Sequence, residues 1–336
     1  MKRIVCLLLC FSLCLLLTGC DSLQSVNPLT EAAATLVPGT DPELPRAEDS
    51  QPLRTSSESV LYFRFLDEPY LAQEIRTVTR TASQTYEMAL INQLLLGPGT
   101  ASAELSGLFP EGTRVISTVR QGRTMFITLS QEIMNAYADE PVDWQESSVW
   151  RQEVPLRRQL CMQSLVATVT ENCDVDEVQV LVQSDGAAVS SLRLKQNYYM
   201  DDSEDAVLAE PLRRDDSLLL TADNALRIVL DSWVHQDWSR LYTLIATHDP
   251  QTGESRCSEK EFMEQMTALP AVTAYTAGTL SLSADGICAT CPVTFSVLRE
   301  DGSLRTAEAR ILRLYSDDGI WKTSVTQLTG WMEGME

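Results

Sequence analysis

Apolar residues change their spacing along this chain, and the changes mark its elements. Tyr86, Leu90 and Leu94, with Ile91 and Leu95, recur at helical intervals, while Glu87, Asn92 and Gln93 fall on the other face. Thr81-Ala-Ser-Gln84 before them fits a capping box, and Leu96-Gly97-Pro98-Gly99 after them fits a helix stop. The period then becomes two. Met125, Ile127 and Leu129 alternate with Thr124, Phe126 and Thr128, so Thr113 to Val119 and Thr124 to Leu129 are predicted to form a hairpin around Gln121-Gly122-Arg123.

The same reading extends to the flanks. Val60 to Leu66 is a strand by its aromatic and β-branched content, and Val178 to Val182 is a second, closed by Asp185-Gly186. Gln131 to Ala136 reads as a short helix. Pro155 to Thr170 reads as a longer one, since Met162, Leu165, Val166 and Val169 share a face. Residues 60–194 thus form a first α+β domain. Ala138 to Arg151, with Trp144 and Trp150, is a candidate surface for a partner. An acidic linker is expected over 195–216, where Asp201-Asp-Ser-Glu-Asp205 is a solvated charge run without the glycine and glutamate of a calcium loop.

Residues 217–330 read as a second domain, helices first and strands after. Leu226, Val229, Leu230 and Trp233 make one helical face, and Trp238, Leu241, Tyr242 and Ile245 make the next. Ser258-Glu-Lys-Glu261 is a capping box ahead of Phe262, Met266 and Leu269. Asp285-Gly286, Asp301-Gly302 and Asp318-Gly319 then punctuate four strands at hairpin spacing. Helices packed on one face of an antiparallel sheet follow from that order. The two domains are expected to fold independently.

The start of the chain supplies an address. A short basic Met1-Lys2-Arg3 and the apolar stretch Ile4 to Leu17 fit a signal segment, too short to span a bilayer as a helix. Leu17-Thr18-Gly19-Cys20 fits a bacterial lipobox. Residues 1–19 are therefore expected to be cleaved, leaving a lipidated Cys20 whose acyl chains hold the protein on the extracytoplasmic face of the cell membrane. Residues 20–59, rich in Pro, Ser, Thr and acids, read as a tether.

Helix, Leu-Leu-Gly-Pro98, Pro110-Glu-Gly-Thr113, strand, turn and strand ending at Leu129-Ser130 together resemble the GerM domain of sporulation and germination proteins, also found in LpqB-type lipoproteins. Glu74 to Val78 resembles the segment that carries an arginine, here Arg76, in those domains. The second domain, with its late Gly319-Ile-Trp321-Lys322, resembles the cone-shaped nuclear-transport-factor-two-like fold. These resemblances imply an α/β sandwich followed by a curved sheet with helices. They also imply a role in sporulation, germination or a wall-associated assembly. Alternatives they leave open are an accessory lipoprotein of a signalling kinase and a small-molecule-binding or hydrolytic protein that uses the cone.

Composition narrows the chemistry. The net charge is -21, and loss of Lys2 and Arg3 with the leader makes it more negative, so nucleic acid is excluded as an expected partner. Five cysteines lie beyond Cys20: Cys161, Cys173, Cys257, Cys288 and Cys291. The odd number argues against a disulfide framework, and Cys288 and Cys291, three apart on a strand, point to opposite faces and make no redox or zinc pair. The two histidines, His235 and His248, stand without a catalytic constellation, although His248-Asp249 is a candidate acid-base pair. No catalytic residue, metal or cofactor is expected. A binding or scaffold module is expected instead, with an envelope protein or cell-wall partner.

Overall fold

The computed structural model describes residues 54–100, 102–184, 190–199, 207–299 and 301–332. The expected leader, Cys20 and nearly all of the tether lie outside them, as do Asp185-Gly186 and the acidic run at 201–205.

The first sheet has strand order β2-β1-β3, with β1 Arg54–Phe65, β2 Leu71–Thr81 and β3 Leu105–Ser106. β1 begins at Arg54, so the last residues read as tether are a strand paired with β2. Helix α1 spans Tyr86–Leu95 and is capped by Thr85, whose hydroxyl accepts from the Met88 amide at 3.3 Å. Thr81 does not cap it, because Thr81 is still in β2, opposite Arg54. Gly97, with φ of 83°, ends the helix where the sequence places the stop.

The second sheet is built on a parallel pair. β4 (Val115–Gln121) and β5 (Thr124–Leu129) form the expected hairpin, and β6 (Glu177–Gln183) lies parallel to β5. Helix α2, Trp150–Asn172, makes the crossover that a parallel pair requires. It begins earlier than the periodicity indicated, with Pro155 inside it, and every residue from Leu160 to Val169 is buried. A helix buried all round belongs in the middle of a domain. Its polar residues are spent on β1, since Thr168 Oγ1 accepts from the Tyr62 amide at 3.1 Å and Ser164 Oγ donates to the Tyr62 carbonyl at 2.6 Å. One turn further on, Asn172 accepts from the Val60 amide at 3.0 Å and donates to its carbonyl at 2.7 Å. Those groups lie on the side of β1 away from β2, and without α2 they would be buried and unbonded.

Part of the stretch read as an acidic linker instead completes this sheet. β7 (Ser191–Arg193) and β8 (Leu212–Arg213) both pair with β6, and Lys195 bridges Leu208. β7 falls within the expected first domain, whereas β8 lies inside 195–216, where a two-residue strand carries no periodicity to read.

Beyond it come helices α3 (Ala222–His235), α4 (Trp238–Thr243) and α5 (Glu259–Thr267), the last with the capping box Ser258 and Glu261. The antiparallel sheet has five strands, not four: β9 Ala271–Ala277, β10 Ser281–Leu282, β11 Cys288–Leu298, β12 Leu304–Asp317 and β13 Ile320–Lys322. Register shifts at Val293/Phe295 and Ser296/Val297 bend it. A closing helix, α6 Val325–Met332, was not foreseen. The whole is α+β: a GerM-type layered part, then a cone of helices on a curled sheet.

These two parts meet along β2. Leu220 donates to the Leu71 carbonyl at 2.7 Å, Arg240 pairs with Glu68 at 2.8 Å, and the buried Lys322 reaches Glu104 at 3.3 Å and Asp317 at 3.6 Å. Gly319, with φ of 85°, lies so close to β2 that a Cβ there would fall 2.5 Å from Gln73 Cγ. Buried side chains of both parts form one continuous cluster.

Candidate functional site

Arg76, the residue singled out by resemblance, is committed to its own domain. From β2 it donates to the Gln93 and Gly97 carbonyls, each at 3.1 Å, and to Glu74 Oε1 at 2.9 Å, while Glu74 Oε2 accepts from the Gly99 amide at 2.9 Å. A cation on the last carbonyls of α1 opposes the negative end of the helix dipole. Arg76 also lies 5.7 Å from the Phe63 ring centre. Its task here is to hold the end of α1 on the sheet.

Among the described residues, His248 and Asp249 share no hydrogen bond or ion pair. Asp249 Oδ1 accepts from the Gln251 amide at 2.8 Å and the Thr252 amide at 3.1 Å, which closes its own turn, and His248 is exposed. Burial would raise the Asp249 carboxyl, but those amides and the Ser324 and Thr326 hydroxyls hold it below the ordinary carboxylate range. The other histidine, His235, ends α3 with Nδ1 2.8 Å from the Asp231 carbonyl.

The cysteines are placed as the strand geometry demands. Cys291 is buried and Cys288 only partly so, on opposite faces of β11. Burial pushes the Cys161 and Cys291 thiols up. Cys173 goes up to about 11, chiefly through burial. No group of three or more metal-ligating side chains occurs among the described residues.

Three buried aromatic rings pack together in the cone part. Trp233 of α3, Phe295 of β11 and Trp331 of α6 stack in a mutual trio, with ring centres 6.1, 5.9 and 5.3 Å apart. α6 supplies the third ring.

The segment Ala138 to Arg151 is braced against α2. Arg157 pairs with Asp139 at 2.7 Å and Arg158 with Glu140 at 3.0 Å, and the Arg158 guanidinium lies 5.9 Å from the Trp144 ring centre. The Arg157 ion pair holds the Asp139 carboxyl below its usual range. Trp144 and Trp150 are half-buried, whereas Val142 is 99% and Val149 70% exposed. The segment is thus fixed in place with two valines in solvent. Its length and its two tryptophans, Trp144 and Trp150, marked it in the sequence. The braces did not show, because they come from α2, at least 14 residues away for the Trp144–Arg158 contact.

The described helices include none long and apolar enough to cross a membrane. Residues 60–188, less than half of the chain, match the family model Germane, described as sporulation and spore germination. This stretch is a GerM-like domain, as its order of elements implied. No curated protein matches the chain. Among solved structures, the tandem GerMN domains of the sporulation protein GerM from Bacillus subtilis align with 19% identity and a TM-score of 0.31, over 49% of this chain and 46% of that one. The chain thus spans about half the length of that relative. The first GerMN domain of the same protein aligns with 16% identity and a TM-score of 0.25, over 41% of this chain and 94% of that one. Delta 5-3-ketosteroid isomerase from Mycobacterium sp. aligns with 11% identity and a TM-score of 0.25, over 30% and 87%.

Proposed function

We propose that this chain is a lipid-anchored, extracytoplasmic module of the cell envelope that binds another envelope protein in sporulation or germination and catalyses no reaction. The process comes from the family match over 60–188, and the anchor from Leu17-Thr18-Gly19-Cys20 behind a short apolar leader. The observation that carries the binding role is the braced segment, which holds Val142 and Val149 in solvent on a scaffold of ion pairs to α2. The stacking of Trp233, Phe295 and Trp331 supports a structural use of the cone part.

Crosslinking and recovery from membranes test this, comparing the wild-type chain with a Val142→Asp/Val149→Asp variant. A partner captured by the wild type and lost from the variant is the expected result. If the partner is a signalling kinase, the accessory-lipoprotein alternative replaces the sporulation reading. Equal capture by both chains removes the segment from the interface. Turnover of a wall substrate that depends on Asp249 or His248 overturns the non-catalytic role.

A further inference from the structure

A cleft of about 850 Å³ opens beside the carboxyl ends of the parallel strands β5 and β6. Its position is the one physics favours, because a crossover fold leaves a crevice outside the carboxyl ends of its parallel strands. The volume suits a small ligand. The lining includes Arg158, Arg193 and Lys195, with Gln183 beside them and Met134 and Leu192 as apolar wall. No carboxylate lines it among the described residues, in a chain of net charge -21.

The three cations differ in what they already hold. Arg193 donates to the Ala209 carbonyl at 2.6 Å and meets the exposed Glu210 at 3.2 Å, a pair that water weakens. Lys195 is exposed, with no ion-pair or hydrogen-bond partner for its ammonium among the described residues. Arg158 is fixed by Glu140 and lies 5.2 Å from the Tyr198 ring centre, yet its buried Nε has no acceptor. That Nε is closed off from solvent, so what Arg158 offers the cleft is the positive charge of its guanidinium rather than this donor. Leu192 is 61% and Met134 48% exposed, apolar surface that an apolar ligand body would cover.

We propose that this cleft binds a small anion: a carboxylate or phosphate group held by Lys195 and Arg193 and facing Arg158, on an apolar body that packs against Met134 and Leu192. Long-range repulsion by the acidic surface is screened beyond about 8 Å at physiological salt, so the local cations decide whether the anion stays.

Three probes with one body separate the contributions: benzoate, phenyl phosphate and neutral benzamide, titrated into the full chain in detergent and followed by NMR. Saturable binding of benzoate or phenyl phosphate is expected, with benzamide about tenfold weaker or more, the effect of losing a charged hydrogen bond. Whichever anion binds tighter assigns the head group. Lys195→Glu should weaken that anion by about tenfold, and Lys260→Glu, on the exposed face of α5, by less than about twofold. Benzamide binding as tightly as the anions, an equal loss in both lysine variants, or no saturation by any probe overturns the proposal.

Discussion

Thr168 accepts a hydrogen bond from the backbone amide of Tyr62 at 3.1 Å, across 106 residues of sequence. Both groups are buried, so the bond replaces water that neither could otherwise reach. Thr168→Val keeps the shape and removes the acceptor, which should lower stability by about 1–3 kcal/mol, and Thr168→Ser should restore most of it. Chemical denaturation of the three chains decides this. A valine variant as stable as the wild type would mean that Tyr62 finds another acceptor.

Gly319 sits at the junction with φ of 85° and with Gln73 beside it. Gly319→Ala is expected to cost about 1–2 kcal/mol for the left-handed backbone alone, and more as Gln73 is pushed aside. Calorimetry should show one unfolding transition shifted down as a whole, because both parts share a buried cluster. Two transitions, with only the later residues affected, would support the independent domains expected from the sequence.

Asp249 links the turn at 249–252 to pH. Its carboxyl is held below its unfolded value, so its stabilisation is complete above about pH 4 and is lost as pH falls through the lowered folded value. Wild type should exceed Asp249→Asn in melting temperature at pH 6, with the gap closing in acid. A gap that persists at pH 2 would show that the charge is not its source.

Trp331→Ala empties one place in the aromatic trio of the cone. A loss of about 3–5 kcal/mol is expected, the range for a large buried aromatic. Thermal melts measure it, and an unchanged melting point would mean that α6 is dispensable to the cone.

Cys20 is the proposed site of lipidation. Cells fed a labelled fatty acid should label the wild-type chain and leave Cys20→Ala unlabelled. Label retained by the variant, or absent from both, refutes the anchor.

Most elements were legible because a side chain's solvent-facing period reports its secondary structure. α1, the β4–β5 hairpin, the Ser258 capping box and the helix-then-strand order of the second part all follow from spacing. What spacing could not reveal depends on distant partners. The solvated first turns of α2 carry no apolar stripe and Pro155 reads as a helix start, so its length was understated, and the informative signal was the polar series Ser164, Thr168 and Asn172 at intervals of four, aimed at β1. β7 and β8 are too short for any period, and the cleft at the carboxyl ends of β5 and β6 joins residues from four separate stretches. Arg76 was found by resemblance, but only the structure shows that it grips the end of α1.

The bonds from α2 to β1 also set a timetable for folding. Tyr62 and Val60 meet their partners only after more than 100 further residues have been made, since the separations are 106 and 112. Contacts between such distant positions close slowly, because the intervening chain loses its freedom before any reward arrives. While the protein is being made, the first strand therefore waits open-edged, and its unbonded groups stay shielded only by water until α2 has followed it.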